Sequence, residues 1–350
     1  MNPELINTRA LRALLILLVV GLSACARITP VEPVMTTSNP LIANPRPWCI
    51  GRFVLDRPAN SKISSEEYEF WGDKIDVARN VSVGTFQHKV DTRERELGTR
   101  KRTILIPYKE SVRRGLPNGV VEIDVPWLEK VVSPSATSRL MIFKEDGDAD
   151  SSFKGEGHAL AGSTMLTMKS VLGSGAVQKV IRREGEWYRY ITYRDDWAVP
   201  TERGFCIEGA LIGGPSRNSE LLHQGMVLQP GRPSLFLIDV RDAVDVDQQT
   251  SLLKTLPDLR RELRTQGYSG YVSVLRKGKR QVAGMDAEEV LFSIRSGSVQ
   301  LYRFYLLAPG NPDTVAQPHT EIRLNLGSAN HPALRATLPP ELATSPVDEA

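Results

Sequence analysis

The sequence has 350 residues, of which 41% are hydrophobic and 24% charged, with a formal net charge of +3. That length allows more than one folded core, since a typical domain has about 100–150 residues. Near-neutrality implies no polyelectrolyte partner such as nucleic acid, which needs a concentrated excess of lysine and arginine.

Arg9 and Arg12 make a short basic start, and Ala13 to Leu22 an unbroken apolar run. The run is shorter than the about 20 residues of a bilayer-spanning helix but suits a signal-peptide core. It ends in Leu22-Ser23-Ala24-Cys25, small residues before a cysteine, the pattern cut and lipidated in bacterial lipoproteins. Residues 1–24 are therefore expected to be a lipoprotein signal peptide, with Cys25 lipidated. The alternative is an ordinary secretory signal followed by an incidental cysteine. Ala26, where Asp would retain the protein at the inner membrane, favours the periplasmic face of the outer membrane. Removing Arg9, Arg12 and Glu4 with the leader leaves a mature charge near +2.

Residues 25–47 hold five prolines (Pro30, Pro33, Pro40, Pro45, Pro47) and no apolar period, and so read as a flexible lipidated tether. Beyond it Cys49 and Cys206 remain. In an oxidising compartment they form a candidate disulfide; two buried free thiols are the other reading. Each follows an aromatic and precedes isoleucine, in Trp48-Cys49-Ile50-Gly51 and Phe205-Cys206-Ile207-Glu208-Gly209, which hints at a duplicated module.

In chain order, Tyr68 to Val83 reads as extended. Thr85 to Arg100 reads as a helix, with Phe86, Val90 and Leu97 at helical spacing. Strands are expected at Thr103–Ile106, Val120–Ile123, Arg139–Phe143 and Trp187–Ile191. In the second half they fall at Gly225–Leu228, Leu235–Val240, Tyr271–Leu275, Val290–Ile294 and Leu301–Leu307, the last two flanking a Ser296-Gly297 turn. Asp247 to Gln266 carries Leu252, Leu256, Leu259 and Leu263 on one helical face, broken or kinked at Pro257. Strands outnumber helices without regular alternation. The fold class is α+β: two β-rich modules, 48–200 and 204–350, each a mainly antiparallel sheet with one or two helices. Ser345-Pro346-Val347-Asp348-Glu349 reads as a helix start just before the last residue given; either the signal is accidental, or the second module lacks its final helix.

Recognisable catalytic motifs are absent. Gly267-Tyr268-Ser269-Gly270-Tyr271 lacks the last glycine of a nucleophile elbow, and neither a zinc-protease helix nor a phosphate-cradling loop occurs. His88, His158, His223, His319 and His331 are scattered singly and read as surface or loop residues. Asp146-Gly147-Asp148-Ala149-Asp150 starts like a calcium loop, but Ser151 and Gly157 replace the required glycine and glutamate, so a solvated turn is expected. Arg93 to Arg102 reads as a solvated helix face, and Arg276-Lys277-Gly278-Lys279-Arg280 as a charged hairpin tip. No cofactor, metal or catalytic role is implied.

The chain resembles the immunity lipoproteins that neutralise type-4 phospholipase effectors of bacterial type VI secretion. The first module carries Cys49-Ile50-Gly51-Arg52-Phe53 with Asp56 and Pro58. The second carries Gly204-Phe205-Cys206-Ile207-Glu208-Gly209, Gly284-Met285-Asp286-Ala287-Glu288-Glu289, Tyr302-Arg303-Phe304, Pro318 and Glu321-Ile322-Arg323-Leu324. The resemblance implies a periplasmic binding protein, not an enzyme, held on the membrane by its lipid, whose partner is a cognate phospholipase with its lipid-access mouth blocked. It does not identify partner-binding residues; the charged segments Asp146–Asp150 and Arg276–Arg280 are candidates only. The lipobox and tether alone would equally suit an envelope structural or assembly lipoprotein without a toxin partner.

Overall fold

The computed structural model describes residues 44–116, 121–148, 152–230, 233–265, 271–296 and 299–327. The expected signal peptide, Cys25, most of the tether, His331 and the helix start at Ser345 lie outside them.

The described chain opens with a hairpin of β1 (Pro45–Ile50) and β2 (Phe53–Pro58), turned at Gly51, whose φ of 54° suits glycine. Pro45 and Pro47, assigned to the tether by their proline content, are instead strand residues. A two-stranded ribbon tolerates proline wherever no ladder N–H is needed, and Arg46 between them stacks 4.5 Å from the Trp197 ring centroid.

Next come β3 (Lys62–Phe70), β4 (Asp73–Ala78) and α1 (Val83–Thr99). Ser82 caps α1 by accepting from the Thr85 N–H at 3.1 Å. As the spacing predicts, Phe86, Val90 and Leu97 are its buried residues, packed on Met141, Phe143, Leu160 and Met165. A ribbon of β5 (Lys101–Ile106) and β6 (Val121–Pro126) follows, with the short α2 (Tyr108–Arg113) between them. Then β7 (Leu128–Ser135), β8 (Ser138–Phe143), β9 (Phe153–Ala161) and β10 (Thr164–Leu172) form a meander.

Trp187–Ile191, expected as a strand, is mostly helical. The helix α3 (Val177–Trp187) runs into a 3-10 turn at Tyr188–Tyr190, and only Ile191 begins β11 (Ile191–Tyr193). The aromatic run suits either state. Tertiary burial decides, because Val180, Glu184 and Trp187 fall on one helical face and are buried.

The second half holds β12 (Gly204–Ile207), β13 (Ala210–Gly213), β14 (Leu221–Val227) and β15 (Ser234–Arg241). The helix expected from Asp247 is split into a 3-10 turn at Asp245–Gln249 and α4 (Leu256–Thr265). Pro257 lies in the first turn of α4, where a missing N–H costs nothing. Four strands close the description: β16 (Tyr271–Val282), β17 (Met285–Ser296), β18 (Val299–Ala308) and β19 (His319–Gly327).

Twelve strands form one antiparallel sheet in the order β16-β17-β18-β19-β15-β14-β3-β4-β10-β9-β8-β7. Six come from each half of the chain, and β3 with β14 makes the seam, from Leu221 opposite Glu69 to Val227 opposite Lys62. The largest apolar core crosses that seam. It includes Trp48, Tyr68, Phe70 and Leu166 from the first half and Phe205, Ile207, Ile212, Leu222 and Ile238 from the second.

Candidate functional site

The two similar cysteine hairpins meet. Cys49 and Cys206 are joined by a disulfide, with Cα atoms 5.8 Å apart, which decides between the two readings of these thiols. Buried Arg194 donates to the Ile207 carbonyl at 3.0 Å and the Cys49 carbonyl at 3.5 Å, bracing both hairpins. Arg52 grips Glu220 through Nε and Nη2 at 2.9 and 2.5 Å, and its Nη1 reaches the Gly214 carbonyl at 2.7 Å. A planar fork held by a carboxylate and a carbonyl fixes direction as well as distance.

Behind this junction lies a ladder of rings and guanidinium groups. Arg57 stacks 4.2 Å from the Trp48 centroid and 4.9 Å from that of Trp197; Arg194 lies 5.5 Å from Trp48. Trp48 donates to Gln224 at 3.2 Å, Gln224 to Tyr68 at 3.3 Å, and Tyr68 to Glu66 at 2.9 Å. Burial, then the neighbouring Glu208 carboxylate, pushes Glu66 up to about 7. Beside the ladder an apolar cavity of about 430 Å³ separates β2 from β14, β15 and β19.

A second buried cluster holds α3 on the sheet. Arg183 bonds Asp73 at 3.0 and 3.1 Å and also pairs with Glu184; both carboxylates are almost wholly buried. One cation serves two acids, so burial, and then the Asp73 charge, push Glu184 up to about 8. Tyr188, next on this face, is buried against β9. A Cβ on Gly157 would lie 1.7 Å from its hydroxyl oxygen, so that strand position has no room for a side chain.

The candidates from sequence fare unevenly. Arg276–Arg280 is not a hairpin tip. The turn lies at Ala283 and Gly284, with φ of 49° and 78°, while the basic residues line β16, an end strand of the sheet. Arg276 and Arg280 pair with Glu289 across to β17. Part of the Asp146–Asp150 segment lies outside the described residues; Asp146 accepts from the Asp148 N–H at 2.9 Å, a turn contact. Arg93 is more than a solvated charge, since it bonds the half-buried Glu156. The histidines divide: His88 is exposed on α1, as expected, whereas two others depart from a surface role. His158 and His319 are buried and bonded to Glu156 and Glu321; against the effect of burial, these contacts together with Arg93 and Arg323 hold the two carboxyls down at about 2. Among the described residues no cluster of three or more histidines, cysteines or acids could hold a metal ion.

Sequence reasoning missed one grouping. On the outer sheet face His223 lies 3.2 Å from Ser65 Oγ through Nε2 and 2.6 Å from Asp239 Oδ1 through Nδ1. The order resembles an acyl-transfer triad. However, Ser65 sits on an extended strand, opposite Gly225 at a bulge, and not on the strand-to-helix turn that sets a nucleophile beside free N–H donors. No local pattern marks this grouping, because the three residues come from different strands. Leu105, Tyr108 and Val112, on β5 and α2, are apolar and exposed.

Comparison with known proteins adds the family. The N-terminal domain of Tle cognate immunity protein 4 matches residues 46–193, and its C-terminal domain matches residues 198–342. The chain belongs to this immunity-protein family. Among solved structures, the chain shares its fold with the apo immunity protein TplEi of the type VI secretion system from Pseudomonas aeruginosa. That match has a TM-score of 0.66 and 20% identity, covering 85% of this chain and 93% of that one. The Tle4–Tli4 complex contains a chain matched with a TM-score of 0.65 and 20% identity over 81% of this chain and 87% of that one. TplEi bound to an "L" peptide matches with a TM-score of 0.63 and 19% identity, covering 83% and 90%. A comparison with curated proteins gives no match.

Proposed function

We propose that this protein is a type VI secretion immunity protein that binds a cognate phospholipase effector and covers its lipid-access mouth. The carrying observation is the pair of immunity-domain matches, which together run from residue 46 to residue 342 with four residues between them. A structural relative in complex with Tle4 supports the same reading. The protein acts by binding and not by turnover.

The architecture suits that task. A disulfide, a twelve-stranded sheet and a core spanning both halves make a stiff body, so little ordering entropy is lost on binding. A partner patch upward of about 1,600 Å² would be large enough for a stable complex, and slow release is how tight inhibitors hold their targets. Lipid on Cys25 would station the protein at the periplasmic face of the outer membrane. Restriction to that surface raises its effective concentration where a phospholipase must work.

The test is a titration of purified effector acting on phospholipid vesicles, paired with a pull-down. A stoichiometric complex and loss of hydrolysis at one equivalent are expected. Undiminished hydrolysis in excess protein, with no complex, would end the proposal. Release of Cys25-lipidated peptide from an outer-membrane fraction tests the anchor separately.

A further inference from the structure

The cavity beside the ring ladder has the chemistry of a ligand site. Its volume of about 430 Å³ lies within the roughly 300–1,000 Å³ usual for small-molecule pockets. The space is open to solvent on one side, with exposed Val54 and Ala283 at its rim, so a ligand can enter, and its apolar lining favours one that displaces water. Phe53 and Leu55 line it from β2; Met226, Phe236, Ile238 and Ile322 line it from the sheet. Such walls offer hydrocarbon contact and almost no hydrogen bonding.

Arg57 is the one cation among the lining residues. Arg57 is only 6% exposed, and its hydrogen bonds go to the neutral Ser61 Oγ and carbonyl at 2.6 and 2.8 Å. No ion pair of Arg57 is found among the described residues. A buried cation without a counter-charge is costly, and burial accordingly lowers its pKa, against the pull of the more distant Glu208 and Asp196. Asp56 also lines the cavity but is exposed on the opposite side of β2.

We propose that this cavity binds one long-chain fatty carboxylate, its hydrocarbon among the apolar walls and its carboxylate toward Arg57. The space holds about 14 methylene-sized groups, taking about 30 Å³ for each as for water, which takes most of one palmitate chain, with the remainder at the open side, and not two chains. The lining comes wholly from this chain, so its occupancy can be measured without any effector.

The experiment uses the full chain with Cys25→Ala, so that no acyl chain of its own competes, titrated with palmitate and with methyl palmitate. Palmitate is expected to bind at one equivalent and to raise the melting temperature. Ile322→Trp and the milder Met226→Phe, each narrowing the cavity, should weaken palmitate binding at least tenfold. Arg57→Gln should weaken palmitate at least fivefold and leave the ester unchanged. A variant that loses its cooperative melt is set aside for the other. Absence of saturable palmitate binding would overturn the proposal, as would equal affinity for acid and ester, or wild-type affinity in both narrowed variants. Binding of palmitate by the Cys25→Ala chain but not by the lipidated chain would identify the protein's own acyl chain as a rival for the same cavity and would support the site.

Discussion

Gly51 and Cys206 exchange a pair of backbone hydrogen bonds, from Gly51 N–H to the Cys206 carbonyl at 2.9 Å and back at 2.7 Å. Together with the bond between Cys49 and Cys206, they turn two separate hairpins into one joint between the halves of the chain.

The joint gives the first prediction. Its disulfide closes a loop of 157 residues, and a loop of that length constrains the unfolded chain strongly. Replacing both Cys49 and Cys206 by serine should cost about 3–5 kcal/mol in denaturant unfolding. Reductant should have a similar effect on the parent and none on the double variant. Equal midpoints for parent and variant would refute the joint's importance.

The second prediction concerns Gly157. Alanine there would drive a methyl group into Tyr188, costing about 1–3 kcal/mol as overpacking usually does. Tyr188→Phe removes the oxygen that lies 1.7 Å from the added carbon. In the Gly157→Ala background it should recover part of the loss, and thermal melts of the four proteins test the coupling.

How much of this was legible beforehand differs by element. The helix α1 could be read because Phe86, Val90 and Leu97 keep a 3.6-residue period on an otherwise polar segment. The strands β17 and β18 could be read from their apolar runs on either side of a turn. The helix α3 could not: its buried face includes Glu184, and a charged residue erases the apolar stripe that marks a helix. Its Arg183 and Asp73 partners make that burial tolerable, and Asp73 is distant in sequence. The same obstacle hid Arg57, whose significance depends on rings from Trp48 and Trp197 and on a cavity wall from β15 and β19. Pairing of the cysteines was open to inference from their number and compartment, but not their position beside a sheet seam.

Stability should vary with pH in two directions. Glu184 and Glu66 have folded-state pKa values raised to about 8 and about 7, so both favour the fold fully when protonated, below the ordinary glutamate range of about 4.3. That contribution is lost as pH rises from there through 7 and 8. Glu156 and Glu321 are held down at about 2; their contribution is present above the ordinary range and lost as pH falls toward 2. Urea unfolding across pH 3 to 9 should therefore show losses at both ends. Glu184→Gln should flatten the alkaline limb and leave the acid limb in place. An unchanged alkaline limb would contradict the assignment.

The basic strand β16 supplies a prediction about association. Lys277 and Lys279 are exposed on an end strand of the sheet, where charge discourages pairing with another copy. Lys277→Val with Lys279→Val should promote concentration-dependent association, visible by light scattering. The Arg276 and Arg280 pairs with Glu289 are untouched by these changes.

The seam between β3 and β14 also sets a clock. Lys62–Phe70 pairs early with Asp73–Ala78, but its other edge is covered only when Leu221–Val227 has been made, so at the usual 5–20 residues per second the growing chain carries an open sheet edge for about 8–30 seconds. During that interval the nascent polypeptide is exposed to mispairing, and a holdase that masks residues 62–70 should raise the yield of soluble product.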